Sequence, residues 1–291
     1  MSFSTFAKMS SMENSVVIII PIYKTLGKSE LQSIASLNKI KLSQPLKVFL
    51  MGSQNMVVSN LSQIQSVLNN RVKVMTSFFK ASYFKSIISY NQLLLSRTFY
   101  QRFKRYTYML IFQTDAWIIS DRLDEFLTKD ITYIGAPWLE ADVPEKIGLS
   151  VGNGGFSLRH IPRFRDILQK NIVIPDFLWR LYNPVVPLKR RIFKIMIYWP
   201  FQWISFLFKY SFYFEKAKYN WMNEDIVWSR FIQDFTSYSL PSIDDALLFS
   251  FETNPQKCFQ LNNNQLPFGC HARERYDYAF WQTQLKDLDH E

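Results

Sequence analysis

Four clusters in this sequence have residue types that can do chemistry. Asp115 follows the apolar run Tyr106-Thr-Tyr-Met-Leu-Ile-Phe112, with Gln113 and Thr114 between. Asn223-Glu-Asp225 sets two carboxylates ahead of a helical pattern. Gly148-Leu-Ser-Val-Gly-Asn-Gly-Gly155 holds four of the eight glycines of the chain, and His271 ends Leu266-Pro-Phe-Gly-Cys-His271. A carboxylate at the carboxyl end of a buried strand is a metal or substrate ligand, or a satisfied turn residue. Glu224 and Asp225 can take a proton, or can favour a helix dipole behind Asn223 as N-cap. The glycines imply that backbone approaches something closely or takes a positive φ, and a tight turn with no ligand fits them equally. His271 is a ligand or an incidental loop residue.

The elements around these clusters read as α/β. Val16-Val-Ile-Ile-Ile-Pro-Ile-Tyr23, Leu46–Met51 and Val72–Met75 are strand-like; Ser29–Leu37, with Ser29 available as cap, and Leu61–Leu68 carry helical spacing. This β-α-β-α-β order implies a parallel sheet with crossover helices. The spacing predicts one long helix over Ile87–Tyr106, leading into the strand that ends at Asp115. Ser120 is placed as the cap of a helix containing Asp121, Asp124 and Glu125, whose charges suit its dipole. Ile131–Trp138 reads as a strand ending in a turn, Phe156–Arg159 as a short strand, and Pro162 opens a helix. Ser242 caps a further helical pattern to Phe251.

Composition narrows the class. The chain has 291 residues, 48% apolar and 17% aromatic, enough for a large core and against global disorder. Cys258 and Cys270 lack zinc-site spacing and do not suggest a disulfide scaffold, which suits a reducing cytosol. The net charge is +10, of which Arg163 to Lys218 supplies +8 (eleven basic against three acidic residues). Within that segment Lys189-Arg-Arg191 and Lys194 precede Ile195–Phe208, fourteen uncharged residues interrupted by Pro200. The run falls short of the roughly 20 residues of a spanning helix. It reads as an interfacial membrane segment or as core helices; its aliphatic content argues against a nucleic-acid groove. The apolar run Val16–Ile20 is too short for a signal segment, so a cytoplasmic start is expected.

The order of these signals resembles GT-A-type glycosyltransferases, enzymes that use nucleotide-sugar donors. It is most similar to an uncharacterised family of bacterial nucleotide-sugar glycosyltransferases. The residues that carry the resemblance are Pro21-Ile-Tyr23, Ser89-Tyr-Asn91, Gln113-Thr-Asp115, Gly135-Ala-Pro-Trp138, Val151-Gly-Asn-Gly-Gly-Phe156, Asn223-Glu-Asp225 and Leu266-Pro-Phe-Gly-Cys-His271. It spans nearly the whole chain, and residues 175–219 stand out as a helical, basic-aromatic insertion. The resemblance implies a GT-A-like, Rossmann-like, mixed but mostly parallel sheet flanked by helices in one domain.

It also implies roles. Asp115 stands where such enzymes place an Asp-x-Asp motif, with Gln113 in the position of the first Asp. Asp115 and His271 would hold a divalent metal, Mn2+ or Mg2+. Tyr23, Lys24, Asn91, Gln113 and Asp115 would face the nucleotide of the donor, with a UDP-sugar favoured. Trp138, Gly152, Asn153, Gly154 and Gly155 would meet the donor sugar or the acceptor. Asp225, with Glu224 beside it, matches the general base of inverting members. The expectation is therefore a sugar transferase acting on a glycan or lipid-linked glycan in bacterial surface polysaccharide (O-antigen or capsule) synthesis. It would be cytoplasmic, held at the inner face of the membrane through residues 189–208, with no nucleic-acid partner. A nucleotide-sugar hydrolase or phosphotransferase on the same scaffold, and a non-catalytic membrane-associated assembly factor, are the alternatives.

Overall fold

A computed structural model describes residues 15–139, 151–169, 223–238 and 240–285. The insertion expected at 175–219, its membrane-facing part 189–208, and Gly148 lie outside the described residues.

The described chain is mixed α/β. A six-stranded sheet runs β3-β2-β1-β4-β7-β6. Its strands are β1 (Val16–Ile22), β2 (Leu46–Gly52), β3 (Val72–Phe78), β4 (Tyr108–Phe112), β6 (Tyr133–Ile134) and β7 (Phe156–His160). The β3-β2-β1-β4 part is parallel, in a register that sets Ile18 beside Val48 and Ile19 beside Ile111. β7 then runs antiparallel to both β4 and β6.

β1 is buried on both faces, which is why its sequence is a continuous apolar run and not an alternation. Ile18, Ile20 and Ile22 pack with Ile34, Val57 and Ile64 from α1 (Lys28–Ala35) and α2 (Gln54–Val67). Val17 and Ile19 face the opposite layer. That layer is built from α3 (Ile87–Leu94), α4 (Arg97–Arg102), α6 (Ile161–Gln169) and α7 (Glu224–Phe235).

A second sheet, β5-β9-β8, joins β5 (Ala116–Ile118), β9 (Gly269–His271) and β8 (Ser250–Phe251). α5 (Leu123–Leu127) and α8 (Ile243–Phe249) flank its junction with the main sheet. Phe156 of β7 stacks on Phe249, ring centroids 5.1 Å apart, and Phe268 closes on both at 5.6 and 5.7 Å. Gly269 permits this contact, since a β-carbon there would come within 2.6 Å of the Phe156 ring. α9 (Pro255–Leu261) and α10 (Tyr278–Leu285) cover the outer side of the second sheet through Cys258 and Trp281.

Several sequence expectations need correction. The long helix over Ile87–Tyr106 is two short ones. Ser96 breaks it by capping Phe99 N–H at 3.2 Å. Helix α1 starts behind Gly27, and Ser29 lies inside it with its hydroxyl on Glu274. Ser120 is not the cap of α5, which begins after Arg122. The stretch to Trp138 pairs only over two residues plus a bridge from Pro137 to Val151. The helix behind Ser242 ends at Phe249, where the chain turns extended into β8. The second sheet was not anticipated.

Candidate active site

The parallel strands direct the site. Tyr23 follows β1 and Gln113-Thr114-Asp115 follow β4, so both lie at carboxyl ends of parallel strands, where open α/β sheets bind ligands. A cleft of ≈ 570 Å³ opens there. Tyr23, Asn91, Gln113, Asp115, Asn153, Gly154, Gly155, Glu224, Asp225 and His271 all line it. So do residues that sequence reasoning passed over, chiefly Tyr90, Lys85, Glu252 and Arg275.

The Asp115 turn is fixed from three sides. Gln113 N–H donates to Gly155 O at 2.8 Å, Ala116 N–H to Gln113 O at 2.9 Å, and Ala272 N–H to Asp115 O at 3.1 Å. The last bond follows from the second sheet, whose register sets Ala116 opposite His271. Asp115 Oδ1 thereby lies 3.2 Å from His271 Nε2, and Gln113 Oε1 lies 3.3 Å from the same nitrogen. On its far side His271 Nδ1 meets Glu252 Oε1 at 2.8 Å. Burial pushes the imidazole down, but the hydrogen bonds and charges of Asp115 and Glu252 outweigh it and carry it up to about 10. Burial alone would raise Asp115, yet His271 holds its carboxyl below the usual range.

The opposite wall is the start of α7. Asn223 occupies the N-cap position without a side-chain cap bond, and its Oδ1 accepts from Asn91 Nδ2 at 3.4 Å. Asp225 Oδ1 accepts Ile226 N–H at 2.8 Å and Oδ2 accepts Gly154 N–H at 3.1 Å. Burial raises this carboxyl to about 7, with Glu224's charge adding to the shift and the two backbone donors opposing it. Glu224 differs: its two oxygens lie on Arg159, at 2.6 and 3.1 Å, in a fully buried pair. The geometry therefore offers Asp225, and not Glu224, as the available carboxylate.

The glycine turn splits. Gly152 does not line the cleft; a β-carbon there would sit 1.8 Å from Trp138 Cζ2, so the lack of a side chain makes room for the Trp138 ring. Trp138 is likewise turned to Gly152 and away from the cleft. Gly154 and Gly155 do face it, and each is forced by a side chain of the protein. Their β-carbons would meet Glu224 Oε1 at 2.4 Å and His271 Nε2 at 2.0 Å. The left-handed position falls to Asn153, at φ 79°, whose Oδ1 accepts Gly155 N–H at 2.7 Å. Lys24, expected at the nucleotide, pairs with Glu30 and does not line the cleft. Asn60 holds this loop from below through Leu26 N–H and Lys24 O, which sets the position of Tyr23.

Arg159 had a sequence signal that was not read. It is a lone charge in an apolar strand, Phe156-Ser-Leu-Arg-His160, and a buried charge requires a partner. Glu252 had none beyond following the apolar end of β8.

A family profile described as "Protein of unknown function (DUF5672)" matches residues 73–271, well over half of the chain. The chain belongs to the DUF5672 family. The matched span includes every cleft residue above from Asn91 to His271. No curated protein matches this DUF5672 chain. Among solved structures it is similar to mouse xyloside xylosyltransferase 1 in its apo form. The identity is 10% and the TM-score 0.46, over 88% of this chain and 97% of that one.

Proposed function

We propose that the chain is a GT-A-type glycosyltransferase that moves a sugar from a nucleotide donor, a UDP-sugar in the first instance, to a glycan or lipid-linked glycan. One observation carries this reading. The cleft at the carboxyl edge of the parallel strands joins the Asp115–His271 pair to a separate carboxylate, Asp225, which burial raises to about 7.

The residues fit a divalent ion. Asp115 and His271 would hold the ion in place of the proton that now bridges Oδ1 and Nε2 at 3.2 Å, since metal binding releases the protons of its ligands. Glu252 on the other ring nitrogen is the carboxylate that metal-bound histidines commonly carry. Among the described residues no third His, Cys, Asp or Glu completes a cluster, so Gln113 and the donor phosphates would fill the remaining positions. Mn2+ or Mg2+ held there would neutralise charge on the departing diphosphate.

The side chains divide the other tasks. Tyr23 and Asn91 bound the nucleotide end. Gly154 and Gly155 give the floor on which the donor sugar lies. Asp225 accepts the proton of the acceptor hydroxyl as its oxygen attacks the anomeric carbon opposite the departing nucleoside diphosphate, whose bond to that carbon breaks, and this single displacement inverts the carbon. The setting we propose is bacterial surface polysaccharide synthesis at the cytoplasmic face of the membrane, with contact through residues 189–208. Among the described residues no helix is long and apolar enough to cross a membrane.

The test is a thermal-shift screen of UDP-, GDP- and CMP-sugars with and without Mn2+, since a ligand of the native state raises apparent stability. UDP release from the responding donor follows. A stabilising UDP-sugar, and loss of release in Asp115→Ala and Asp225→Ala, is the expected result. No shift with any nucleotide sugar would sink the reading. Donor consumption independent of added acceptor would make the chain a hydrolase.

A further inference from the structure

We propose that Arg159 and Glu224 form a positioning pair that holds Asp225 in place over the cleft, and that Glu224 itself takes no part in proton transfer. This rests on the reading of Asp225 as the general base.

The guanidinium of Arg159 is fully buried and every nitrogen is engaged. Nε donates to Ser157 Oγ at 3.1 Å, Nη1 to Tyr100 Oη at 3.0 Å and to Glu224 Oε2 at 3.1 Å. Nη2 donates to Glu224 Oε1 at 2.6 Å, to Ser157 Oγ at 3.0 Å and to Gly154 O at 3.4 Å. Such a fork has one orientation, and it fixes the orientation of the carboxylate it grips. Arg159 also lies within the sheet, on its next-to-edge strand, paired with Met109 of β4 on one side and Tyr133 of β6 on the other. The first turn of α7 is thereby referenced to the strand that delivers Asp115.

Gly154 completes the device. Its carbonyl accepts from Arg159, and its N–H, in the preceding peptide unit, donates to Asp225 Oδ2. One buried cation thus holds both the residue before Asp225 and the glycine whose N–H binds its carboxylate. Stability does not account for the pair, because buried ion pairs are commonly matched or bettered by apolar side chains of the same volume. Its place, one residue from the cleft carboxylate, does.

Among the described residues, the charged and titratable groups that act on Asp225 are Glu224 on its own helix, Tyr133 of β6 and Glu252 after β8, while Arg159 of β7 reaches it through Glu224 and Gly154. A pH profile therefore separates positioning from packing. The experiment uses the full chain and UDP release from UDP-glucose, UDP-galactose and UDP-xylose, with UDP affinity in Mn2+ measured by calorimetry. In Arg159→Met/Glu224→Met no charge is left unpaired. We expect cooperative unfolding, UDP affinity within about threefold of wild type, and release slowed by about tenfold or more. In Glu224→Gln, release slows less, and the ratio of the rate at about pH 6 to that at about pH 8 rises, because a negative neighbour of the base is gone. Arg159→Lys should recover only part of the rate lost in Arg159→Met.

Wild-type release by the double variant would reduce the pair to packing. Glu224→Gln silent at every pH, with Asp225→Asn still active, would make Glu224 the base. Wild-type release by Asp225→Asn together with an unaltered Glu224→Gln would remove the base reading on which the proposal stands.

Discussion

Gly155 lies directly beneath the imidazole of His271, so closely that a β-carbon there would fall 2.0 Å from Nε2. Two segments far apart in sequence are in contact at this point, and glycine is what allows it. Gly155→Ala is expected to push the ring away from Asp115. Overpacking of this kind costs about 1–3 kcal/mol, visible in denaturant melts. The diagnostic loss is of the extra thermal shift that Mn2+ adds to UDP. Retention of that shift would show that the ring position is not needed.

Glu252 gives a second check of the same corner. It accepts from His271 Nδ1 and faces away from Asp115. Glu252→Gln should weaken Mn2+-dependent UDP binding by about 10–100-fold, the usual effect of removing an outer partner of a metal-bound histidine. Calorimetry with and without Mn2+ reads it. Unchanged affinity would place the ion elsewhere.

Asp225 is the base in the proposed reaction, and as such it would work ionised, so activity should rise with pH through about 7. Stability runs the other way. A carboxyl whose folded pKa is raised contributes stability that is whole below its ordinary pKa of 3.8 and is lost as pH rises through about 7. Asp225→Asn removes the charge but turns an NH2 toward one of the two backbone donors, so it should cost stability under acid conditions and gain on the wild type as pH rises through about 7, by the equivalent of about 1–4 kcal/mol. An equal difference from wild type at both ends of the range would refute the assignment.

Trp138 and Gly152 test whether their contact is structural. Gly152→Ala should destabilise strongly, since its new methyl would lie inside the Trp138 ring. Trp138→Ala costs about 3–5 kcal/mol if the ring is well packed. The double variant should be less damaged than the sum, because one change relieves the other. Strict additivity would mean the two are not in contact.

How much of this was legible in the sequence follows from range. β1, β4 and β7 were legible because each is a short run buried on both faces; β2, with Lys47 exposed, and the edge strand β3, with Lys73 exposed, were legible from their short β-branched and apolar runs, and the parallel order follows from the helices between them. The ends of β1 and β4 then put Tyr23 and Asp115 at one edge. The break at Ser96 was not legible, because the apolar spacing runs unbroken through Leu93, Leu94, Phe99 and Phe103 while only the serine hydroxyl stops the helix. The second sheet was invisible for another reason. Its strands have two or three residues, and Ala116 pairs with a partner in β9 that no local pattern announces. The resemblance suggested that Asp115 and His271 belong together, but the hydrogen bonds that bring them together are long-range.

That same strand order has a consequence for synthesis. β9 is the middle strand of its sheet, and β5 and β8 bond to it and not to each other. While the chain is still being made, Asp115, Gly155 and Asp225 are available long before His271. A nascent chain halted before Gly269 would hold Asp225 and Asp115 but have nothing to join β5 to β8. The Asp115–His271 corner is thus among the last parts of the matched region to exist, so an incomplete copy should lack the Mn2+ site proposed there.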